Sequence, residues 1–396
     1  MQNKYDVIVV GAGPAGSTAA RVAAQKGCSV LMLEKDREVG MPVRCGEAVG
    51  EKGIKKVLNL QDRWIANKID AVRLIAPNGD VVNVAHNEIG YVLHRKIFDY
   101  DLAMMAADAG VHVVTKAYVY GLVIEDGVVK GVKVKHLGKE YTLHAKIVIG
   151  ADGVESRVGR WAGLKTHVRM KDIESCAQVT VGNISVDRRY CDFYFSDDIA
   201  PGGYLWVFPK GPNAANIGLG IAGHKVNSKA AIDYLNEFID KKFPNAAKLI
   251  TVAGGVPCAP YMDNIFASGL MLVGDAAHQA NPISGGGIIQ AILAAEIAGE
   301  EAAAAIKESD VSEKRLAQYE KRWFEKGGQN HIRAYRLKEV AYKLTDEDLN
   351  KTAEKINKVR PEKRTIISIF KVALFNHPKY IPDILKVFMP AKGSSS

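Results

Sequence analysis

The sequence predicts an α/β fold, a Rossmann-type domain that carries an inserted antiparallel-sheet domain and ends in a helical C-terminal region. Residues 6–33 give the first reason, since a strand, an alanine-rich helix and a second strand follow one another there. Residues 175–222 give the second, because their aromatic, strand-rich pattern is typical of an antiparallel sheet. A short apolar strand and an alanine-rich helix return from residue 270 on, so the middle sheet interrupts the first domain.

The individual strands and helices are predicted from the spacing of apolar residues and from local composition. The runs "DVIVV" (6–10) and "SVLML" (29–33) are short, continuous and apolar, which is typical of buried parallel strands, and a helix over Ala15–Gln25 joins them. Further on we predict a helix, four strands and a hairpin turn, at Phe98–Ala109, Val111–Thr115, Tyr118–Ile124, Val128–Val134, Tyr141–Ile149 and Asp126–Gly127. The predicted segments are 1–174 and 265–310 for the Rossmann-type domain, 175–264 for the inserted domain and 311–396 for the C-terminal helices.

The composition is that of a folded protein with anionic partners. The chain has 396 residues, of which 47% are hydrophobic and 24% charged, and no apolar run reaches the ~18 residues of a membrane-spanning helix. The N-terminus lacks the pattern of a signal peptide, so we expect a cytoplasmic protein. The net charge of +9 favours phosphates or lipid headgroups as partners. The basic residues are scattered, so we expect no nucleic acid, and no C-x-x-C pair supports a metal site.

A glycine-rich loop follows the first strand. In Gly11-Ala12-Gly13-Pro14-Ala15-Gly16, the first glycine allows a tight turn, Gly13 lets the backbone approach a pyrophosphate, and Gly16 lets the helix pack on the strand. The N-terminus of the helix offers free N–H groups to phosphate oxygens. Glu34 ends the second strand, where an acid can accept hydrogen bonds from ribose hydroxyls. This combination predicts dinucleotide binding.

A second motif, "VGDAAHQANPISGGG" (273–287), distinguishes FAD from NAD. It resembles the FAD-binding pattern of the aromatic-hydroxylase flavoprotein superfamily. The resemblance implies that Asp275 holds the ribityl chain. It also implies that the helix after Gly286, Gly287 and Ile288 points its N-terminus at the flavin pyrimidine, where its partial positive charge stabilises the anionic reduced flavin.

Three further positions match that superfamily. Arg95 lies at the start of a helix that often reaches the cofactor, and Val119 lies where the backbone usually meets the adenine. Asp152-Gly153 resembles a third motif, although a strand-ending turn with a structural aspartate is an equal alternative. His278 follows the Gly-Asp pair and is interpreted as a packing residue.

Beyond the superfamily, the chain resembles the geranylgeranyl reductase family, and its archaeal members most. The marks are "PVRCGE" (42–47), "PGGYLWVFPK" (201–210) and "GGGIIQAI" (285–292). The resemblance implies a flavoprotein of archaeal membrane-lipid biosynthesis, in which reduced FAD saturates isoprenoid C=C bonds of a geranylgeranyl lipid. It also implies that Arg44, Cys45, Gly46 and Ala48 lie in a loop that passes the flavin. Cys45 then donates a proton, tunes the flavin or simply packs.

Tyr204, Trp206 and Phe208 alternate and so share one face of a strand. Three ordinary core residues would give the same pattern. With the flavin motifs present, we expect these rings to bind substrate as part of an apolar tunnel, since rings bury a large area with few rotors.

Several alternatives stay open on the sequence alone. A flavin-dependent monooxygenase or halogenase shares the fold, and a non-catalytic isoprenoid-binding escort protein is a third candidate, although such proteins lose the flavin site. The electron donor is NADPH or a ferredoxin-like protein. Cys176 and Cys191 lie on two predicted strands that are plausible neighbours, so a disulfide between them is a further possibility, although an intracellular setting argues against it.

The C-terminus carries an amphipathic pattern. One helical face collects Ile381, Ile384, Leu385, Phe388 and Met389, with Lys379 and Lys386 beside it. Packing against the rest of the chain explains such a face. The alternative is a helix that lies on an anionic membrane, which would make the protein peripheral on the inner face of the cell membrane.

Overall fold

The structure is a computed structural model that describes residues 1–84, 90–226 and 229–375. Its strands are β1 Lys4–Val10, β2 Val30–Leu33, β3 Ala48–Gly50, β4 Ile65–Ile69, β5 Ala71–Ile75, β6 Val81–Asn83, β7 Gly90–Leu93, β8 His112–Val114, β9 Ala117–Glu125, β10 Val128–His136, β11 Lys139–Gly150, β12 Ile173–Gly182, β13 Tyr190–Tyr194, β14 Tyr204–Pro209, β15 Ala214–Ala222, β16 Ala247–Pro257, β17 Phe266–Ala267 and β18 Leu270–Leu272. Its helices are α1 Pro14–Gln25, α2 Glu51–Val57, α3 Arg95–Asp108, α4 Arg157–Trp161, α5 Ala231–Lys242, α6 Ile288–Lys307, α7 Glu313–Trp323, α8 Gln329–Ala341, α9 Asp346–Asn357 and α10 Ile366–Phe375.

The chain divides into two compact units. Unit 1 contains Met1–Val43, Arg95–Val168 and Pro257–Ile332, and unit 2 contains Arg44–His94, Arg169–Val256 and Arg333–Ser396. The chain therefore leaves the first unit three times, after Val43, Val168 and Ile332, whereas the sequence suggested a single continuous piece over 1–174. The reason is non-local strand pairing: β5 lies parallel to β13, and β3, β7 and β4 form a small sheet of their own.

Unit 1 is built on a mostly parallel sheet. Its strand order is β17-β18-β11-β1-β2-β8, and β9 and β10 extend it as an antiparallel hairpin from β11. The central strands β1 and β2 are apolar and almost wholly buried, as expected where helices cover both faces of a sheet. Helix α1 packs against α3 and α6. The predicted Rossmann-type α/β arrangement is confirmed.

Unit 2 contains a seven-stranded sheet in the order β16-β12-β15-β14-β13-β5-β6. Strands β12, β15, β14 and β13 are antiparallel, as predicted, and β13 pairs with β5 in parallel. One face of this sheet buries an aliphatic cluster with α5, in which Leu205, Val207, Leu219 and Leu235 take part. The opposite face carries the aromatic side chains of β14 and is called the aromatic face below.

The sheet order excludes the disulfide considered for Cys176 and Cys191. Cys176 lies on β12 and Cys191 on β13, and two strands, β15 and β14, lie between them. Neighbouring strands are about 4.8 Å apart, so three such spacings exceed the ~7 Å limit for bridged Cα atoms. Both cysteines are free thiols. The sequence placed them on sheet strands but gave no strand order.

The C-terminal helices continue through α10 at Ile366–Phe375. The amphipathic face from Ile381 to Met389 lies outside the described residues. Within the described part of the chain, no helix is both long and apolar enough to cross a membrane.

Candidate functional site

The three glycines of the first loop of unit 1 have different surroundings, which explain why glycine occupies each position. Gly11 has a φ of +103°, and a Cβ added to it would lie 2.3 Å from the carbonyl oxygen of Ala151. A Cβ added to Gly16 would lie 1.9 Å from the carbonyl oxygen of Gly11. Gly13 differs, because an added Cβ would meet no atom within 4 Å. The fold therefore needs two of these glycines, and the third leaves open space beside the start of α1.

That open space lies at an uncapped helix end. Gly13 is the N-cap of α1, no side chain caps the helix, and the first turn holds no acidic residue. Glu34 lies half-buried beside this loop, with Oε2 accepting from Ala12 N at 2.9 Å and Oε1 from Asp36 N at 2.9 Å. Each carboxylate oxygen has a further lone pair. Free N–H groups, space and a positioned acid fit a phosphate followed by a ribose.

The second motif forms a similar arrangement in the same unit. Asp275 directly follows Gly274, whose φ is +69°, after the end of β18. Gly287 is the N-cap of the 20-residue helix α6, which no side chain caps. A Cβ added to Gly287 would lie 3.3 Å from Asp275 Oδ1, so glycine keeps the carboxylate close to the helix end. Burial raises the pKa of Asp275, and the positive charge of Arg95 opposes that shift.

The remaining unit 1 predictions have clear positions. Arg95 begins α3 and makes a bidentate ion pair with Asp99, with both N–O distances at 2.7 Å. Val119 is buried on β9, and Ala15 is buried in the first turn of α1. His278 is buried with Nε2 3.2 Å from the carbonyl oxygen of Thr166, which agrees with a packing role.

Asp152 has two unlike carboxylate oxygens. Oδ2 accepts a hydrogen bond from Val158 N at 3.0 Å and so holds the first turn of α4. Oδ1 is buried and has no hydrogen-bond partner among the described residues. Buried polar atoms are normally satisfied. Oδ2 therefore gives Asp152 a structural role, and Oδ1 remains without a partner in the described part of the chain.

In unit 2 the aromatic face is arranged in cross-strand rows. Tyr204 pairs with Gly220 and Trp206 with Gly218, while Phe208 pairs with Asn216. The ring centroids of Tyr204 and Trp206 are 5.9 Å apart, and those of Trp206 and Phe208 are 6.1 Å apart. A Cβ at Gly218 would lie 2.4 Å from the Trp206 ring, so the indole lies across that glycine. The predicted alternation on one face is confirmed by this register.

The loop with Cys45 and Gly46 is attached to this face. Trp206 Nε1 donates to Gln178 Oε1 at 3.1 Å, and Gln178 Nε2 donates to the carbonyl oxygen of Cys45 at 2.9 Å. A Cβ added to Gly46 would lie 2.9 Å from the Phe208 ring. Cys45 and Gly46 of the first motif therefore lie beside Trp206 and Phe208 of the second, within unit 2. Arg44 and Ala48, at the ends of the loop, are exposed.

A buried ion pair between Glu47 and Lys210 also holds the Cys45–Gly46 loop on the aromatic face. It was not predicted from the sequence. Glu47 has a φ of 72° and is 4% exposed. Its carboxylate accepts one hydrogen bond from Lys210 Nζ at 2.5 Å and another from Asn216 Nδ2. Lys210 Nζ also donates to the carbonyl oxygen of Leu93 at 3.1 Å. Glu47 N donates to Cys45 Sγ at 3.2 Å. Glu47 follows Cys45-Gly46 and Lys210 follows Pro209, so both charges were visible at the motif edges.

Lys210→Met is expected to destabilise the protein strongly. It would leave the Glu47 carboxylate buried without its cation, and removal of one partner of a buried pair costs about 3–5 kcal/mol. Urea unfolding measures the loss. Lys351→Met is the matched control, since Lys351 pairs with Glu347 on the exposed surface of α9, and it should leave the free energy of unfolding nearly unchanged. Equal effects of the two changes would contradict the importance of the buried pair.

Comparisons with known proteins agree with this geometry. Residues 172–256 match the geranylgeranyl reductase catalytic domain, and residues 5–188 match the pyridine nucleotide-disulphide oxidoreductase model. Digeranylgeranylglycerophospholipid reductase 1 of Methanococcoides burtonii is 48% identical, over 96% of this chain and 94% of that protein. The digeranylgeranylglycerophospholipid reductase of Methanosarcina acetivorans is 46% identical, over 99% and 98%.

Solved structures give the same result. A geranylgeranyl bacteriochlorophyll reductase-like protein of Thermoplasma acidophilum has a TM-score of 0.91 and 37% identity, covering 98% of this chain and 100% of that one. The flavin-dependent brominase Bmp2 has a TM-score of 0.71 at 18% identity, covering 97% and 93%, and so shares the fold alone. Because relatives at 46–48% identity cover nearly its whole length, the chain belongs to the digeranylgeranylglycerophospholipid reductase family.

Proposed function

We propose that this chain is an FAD-dependent oxidoreductase that saturates C=C bonds in the geranylgeranyl chains of digeranylgeranylglycerophospholipids, precursors of archaeal-type membrane lipids. The observation that carries this proposal is the aromatic face with the Cys45–Gly46 loop attached to it. A polyprenyl chain offers apolar surface and almost no hydrogen-bonding groups, so apolar side chains such as these rings are suited to bind it. Relatives of nearly full length carry the same activity in their names.

The proposed cofactor fits the residues of unit 1. The start of α1 at Gly13 binds the pyrophosphate, and Glu34 accepts from the ribose hydroxyls. Asp275 holds the ribityl chain, while the start of α6, at Gly286, Gly287 and Ile288, lies at the flavin pyrimidine. Val119 meets the adenine, and Arg95 completes the site from α3. When bound and reduced, FAD supplies the hydride equivalent for the reaction.

Unit 2 supplies the substrate contacts. Tyr204, Trp206 and Phe208 form part of the wall of an apolar tunnel, and each buried methylene group of the substrate contributes about 0.8 kcal/mol. Hydrogen bonds from Gln178 and the Glu47–Lys210 pair hold the Cys45–Gly46 loop against these rings. An isolated alkene accepts hydride poorly, so the protein must orient the double bond and provide a proton. Cys45 is a candidate for a direct role because its loop is fixed on this face.

Anaerobic reoxidation of the flavin tests the proposed reaction. The purified protein is expected to be yellow, and chemical reduction should bleach it. Addition of digeranylgeranylglycerophospholipid under argon should restore the oxidised flavin spectrum, because electrons pass to the alkene. A halogenase or monooxygenase would keep its flavin reduced until oxygen is admitted, and an escort protein would carry no flavin. Replacement of the chemical reductant by NADPH or by a reduced ferredoxin then identifies the electron donor.

We propose in addition that the protein binds peripherally to anionic membranes at the cytoplasmic side. The net charge of +9 and the apolar face predicted for residues 381–389 support this. Cosedimentation with anionic vesicles should decrease with salt, because surface charges are screened over about 8 Å at physiological ionic strength. Neutral vesicles are the control. Equal, salt-independent binding to both kinds of vesicle would contradict an electrostatic attachment.

A further inference from the structure

A buried carboxylic acid, Glu174, lies on the aromatic face. It lies at the other end of this face from the Cys45 loop. Glu174 begins the run Glu174, Cys176, Gln178 on β12, whose alternate residues share this face. Cys176 pairs with Gly220, which pairs in turn with Tyr204. A Cβ added to Gly203 would lie 3.3 Å from Glu174 Oε2, and one at Gly220 would lie 3.2 Å from Cys176 Sγ. The carboxyl group of Glu174 therefore lies next to Gly203 and Gly220, at the Tyr204 end of the aromatic face.

The two carboxyl oxygens of Glu174 have different surroundings. Oε1 accepts a hydrogen bond from the hydroxyl group of Tyr342, which follows α8. Oε2 is buried, in a residue that is 8% exposed, and no group in the described part of the chain bonds to it. A buried acceptor without a donor is unfavourable, and a protonated oxygen in its place is a donor that needs a partner. Oε2 is thus the group on this face that lacks a partner of its own.

The groups around Glu174 shift the pKa of its carboxyl group in both directions. Burial is the main cause that raises the pKa of this carboxyl, and the negative charge of Asp172 acts in the same direction. The hydrogen bond from Tyr342 and the positive charge of Lys338 lower the pKa. Lys338 itself is buried and pairs with Asp172 at 3.5 Å. Cys176, two residues along β12, faces the same carboxyl. The net shift is upward, so the group keeps its proton at a higher pH than an exposed glutamate.

Cys176, Cys191 and Lys210 suit proton donation less well. Burial raises the pKa of Cys176 and of Cys191 far above that of a free thiol, which makes both weak acids. Lys210 is committed to Glu47 and to the carbonyl oxygen of Leu93. A general acid works best when its pKa lies near the operating pH, and a buried carboxyl group with a raised pKa comes nearest to that condition.

We propose that Glu174 is the proton donor of the alkene reduction, with the Oε2 hydroxyl as the donating group; this rests on the proposed function. Reduced FAD, when bound, would supply a hydride equivalent to one alkene carbon. The other carbon forms a C–H bond with the proton of Glu174 as the O–H bond breaks, and the bonding electrons of that O–H stay on the carboxylate. Tyr342 stabilises the carboxylate by its hydrogen bond, and a proton from solvent restores the acid for the next double bond.

Glu174→Gln tests this role, since it keeps size and hydrogen bonding but removes the acidic proton. We expect single-turnover reduction of the lipid to fall by about 10²–10⁴-fold, with the flavin spectrum, the melting temperature and lipid binding retained. Glu174→Asp should keep part of the activity. Glu320→Gln is the control, because Glu320 is another carboxyl group whose pKa burial raises, in α7 of unit 1, and it should reduce the lipid at the wild-type rate.

Tyr342→Phe gives a readout that a structural role would not move. The reduction rate of the wild type should fall as pH rises through the pKa of Glu174, because the acid is then deprotonated. Loss of the Tyr342 hydrogen bond raises that pKa further, so this fall should move to higher pH in the variant. Infrared spectra of the protein without lipid should show the matching shift in the protonated-carboxyl band, and Glu174→Gln should remove that band.

The outcomes separate the two proposals. Wild-type protein that leaves the lipid unreduced overturns the proposed function and the proton-donor role with it. Wild-type activity together with near-normal reduction by Glu174→Gln and an unchanged pH profile overturns the role of Glu174 alone. If Glu174→Gln fails to fold, Tyr342→Phe and Glu174→Asp test the proton-donor role of Glu174. An unchanged pH profile in Tyr342→Phe, or full activity in Glu174→Asp, would contradict that role.

Discussion

Gly13→Val is expected to abolish FAD binding and to leave the fold intact. Gly13 has a φ of −69° and a ψ of −177°, an extended conformation that valine adopts readily. An added Cβ meets no protein atom within 4 Å, so the folded chain accommodates it. The same space is where the pyrophosphate would approach the start of α1. The purified variant should therefore be colourless and fail to take up added FAD, with a circular dichroism spectrum like that of the wild type.

Gly16→Ala is the informative contrast. Its Cβ would lie 1.9 Å from the carbonyl oxygen of Gly11, so even one methyl group must displace the helix from the strand. We expect this variant to lose stability as well as FAD. A full flavin spectrum in Gly13→Val would contradict the assignment of the cofactor to this loop. Asp275→Ala should weaken FAD binding less than Gly13→Val, because it removes one polar anchor without blocking the site.

Trp206→Ala is expected to change which double bonds of the substrate are reduced. The indole is 8% exposed, lies across Gly218 and donates to Gln178. Its removal would empty part of the aromatic face, and the polyprenyl chain could then slide relative to the reacting position. Mass spectrometry of partially reduced lipids measures the pattern. Because the ring is also packed, we expect a loss of stability, up to about 3–5 kcal/mol for truncation of a core aromatic residue.

Trp206→Phe separates substrate contact from packing. It keeps a ring over Gly218 but leaves Gln178 Oε1 without its donor, at a cost of about 1–3 kcal/mol. We expect the product pattern to shift less than in Trp206→Ala. A large fall in melting temperature with an unchanged product pattern in both variants would show that the aromatic face is ordinary core. The tunnel would then have to be abandoned.

Local patterns explain why much of unit 1 was predictable. The first strand, α1 and the second strand follow from apolar runs and alanine content within about 30 residues, and each predicted boundary lies within a few residues of the observed one. The glycine loop was predictable for the same reason, since its chemistry is encoded in six adjacent residues. Only the atoms that exclude a side chain at these glycines required coordinates, because the clash at Gly16 is with Gly11 and the clash at Gly11 is with Ala151.

Non-local pairing explains what the sequence did not reveal. Strand β5 joins β13 across more than 100 residues, and a short amphipathic run carries no information about such a partner. The Glu47, Lys210 and Asn216 cluster brings together three separate segments, so no spacing rule predicts it. Glu174 was overlooked for a similar reason, since its hydrogen bond from Tyr342 and the positive charge of Lys338 come from more than 160 residues along the chain.

The mass of the product formed in one anaerobic incubation tests directly whether this protein reduces the lipid with its flavin. The protein is reduced chemically, freed of excess reductant and mixed with digeranylgeranylglycerophospholipid under argon in heavy water. We expect the lipid to gain two hydrogen isotopes for each double bond reduced, of which at least one is deuterium from an exchangeable acid, and we expect no such gain with Gly13→Val. A lipid recovered without any gain in mass, from protein that carries a full complement of reduced flavin, would contradict the proposed reaction.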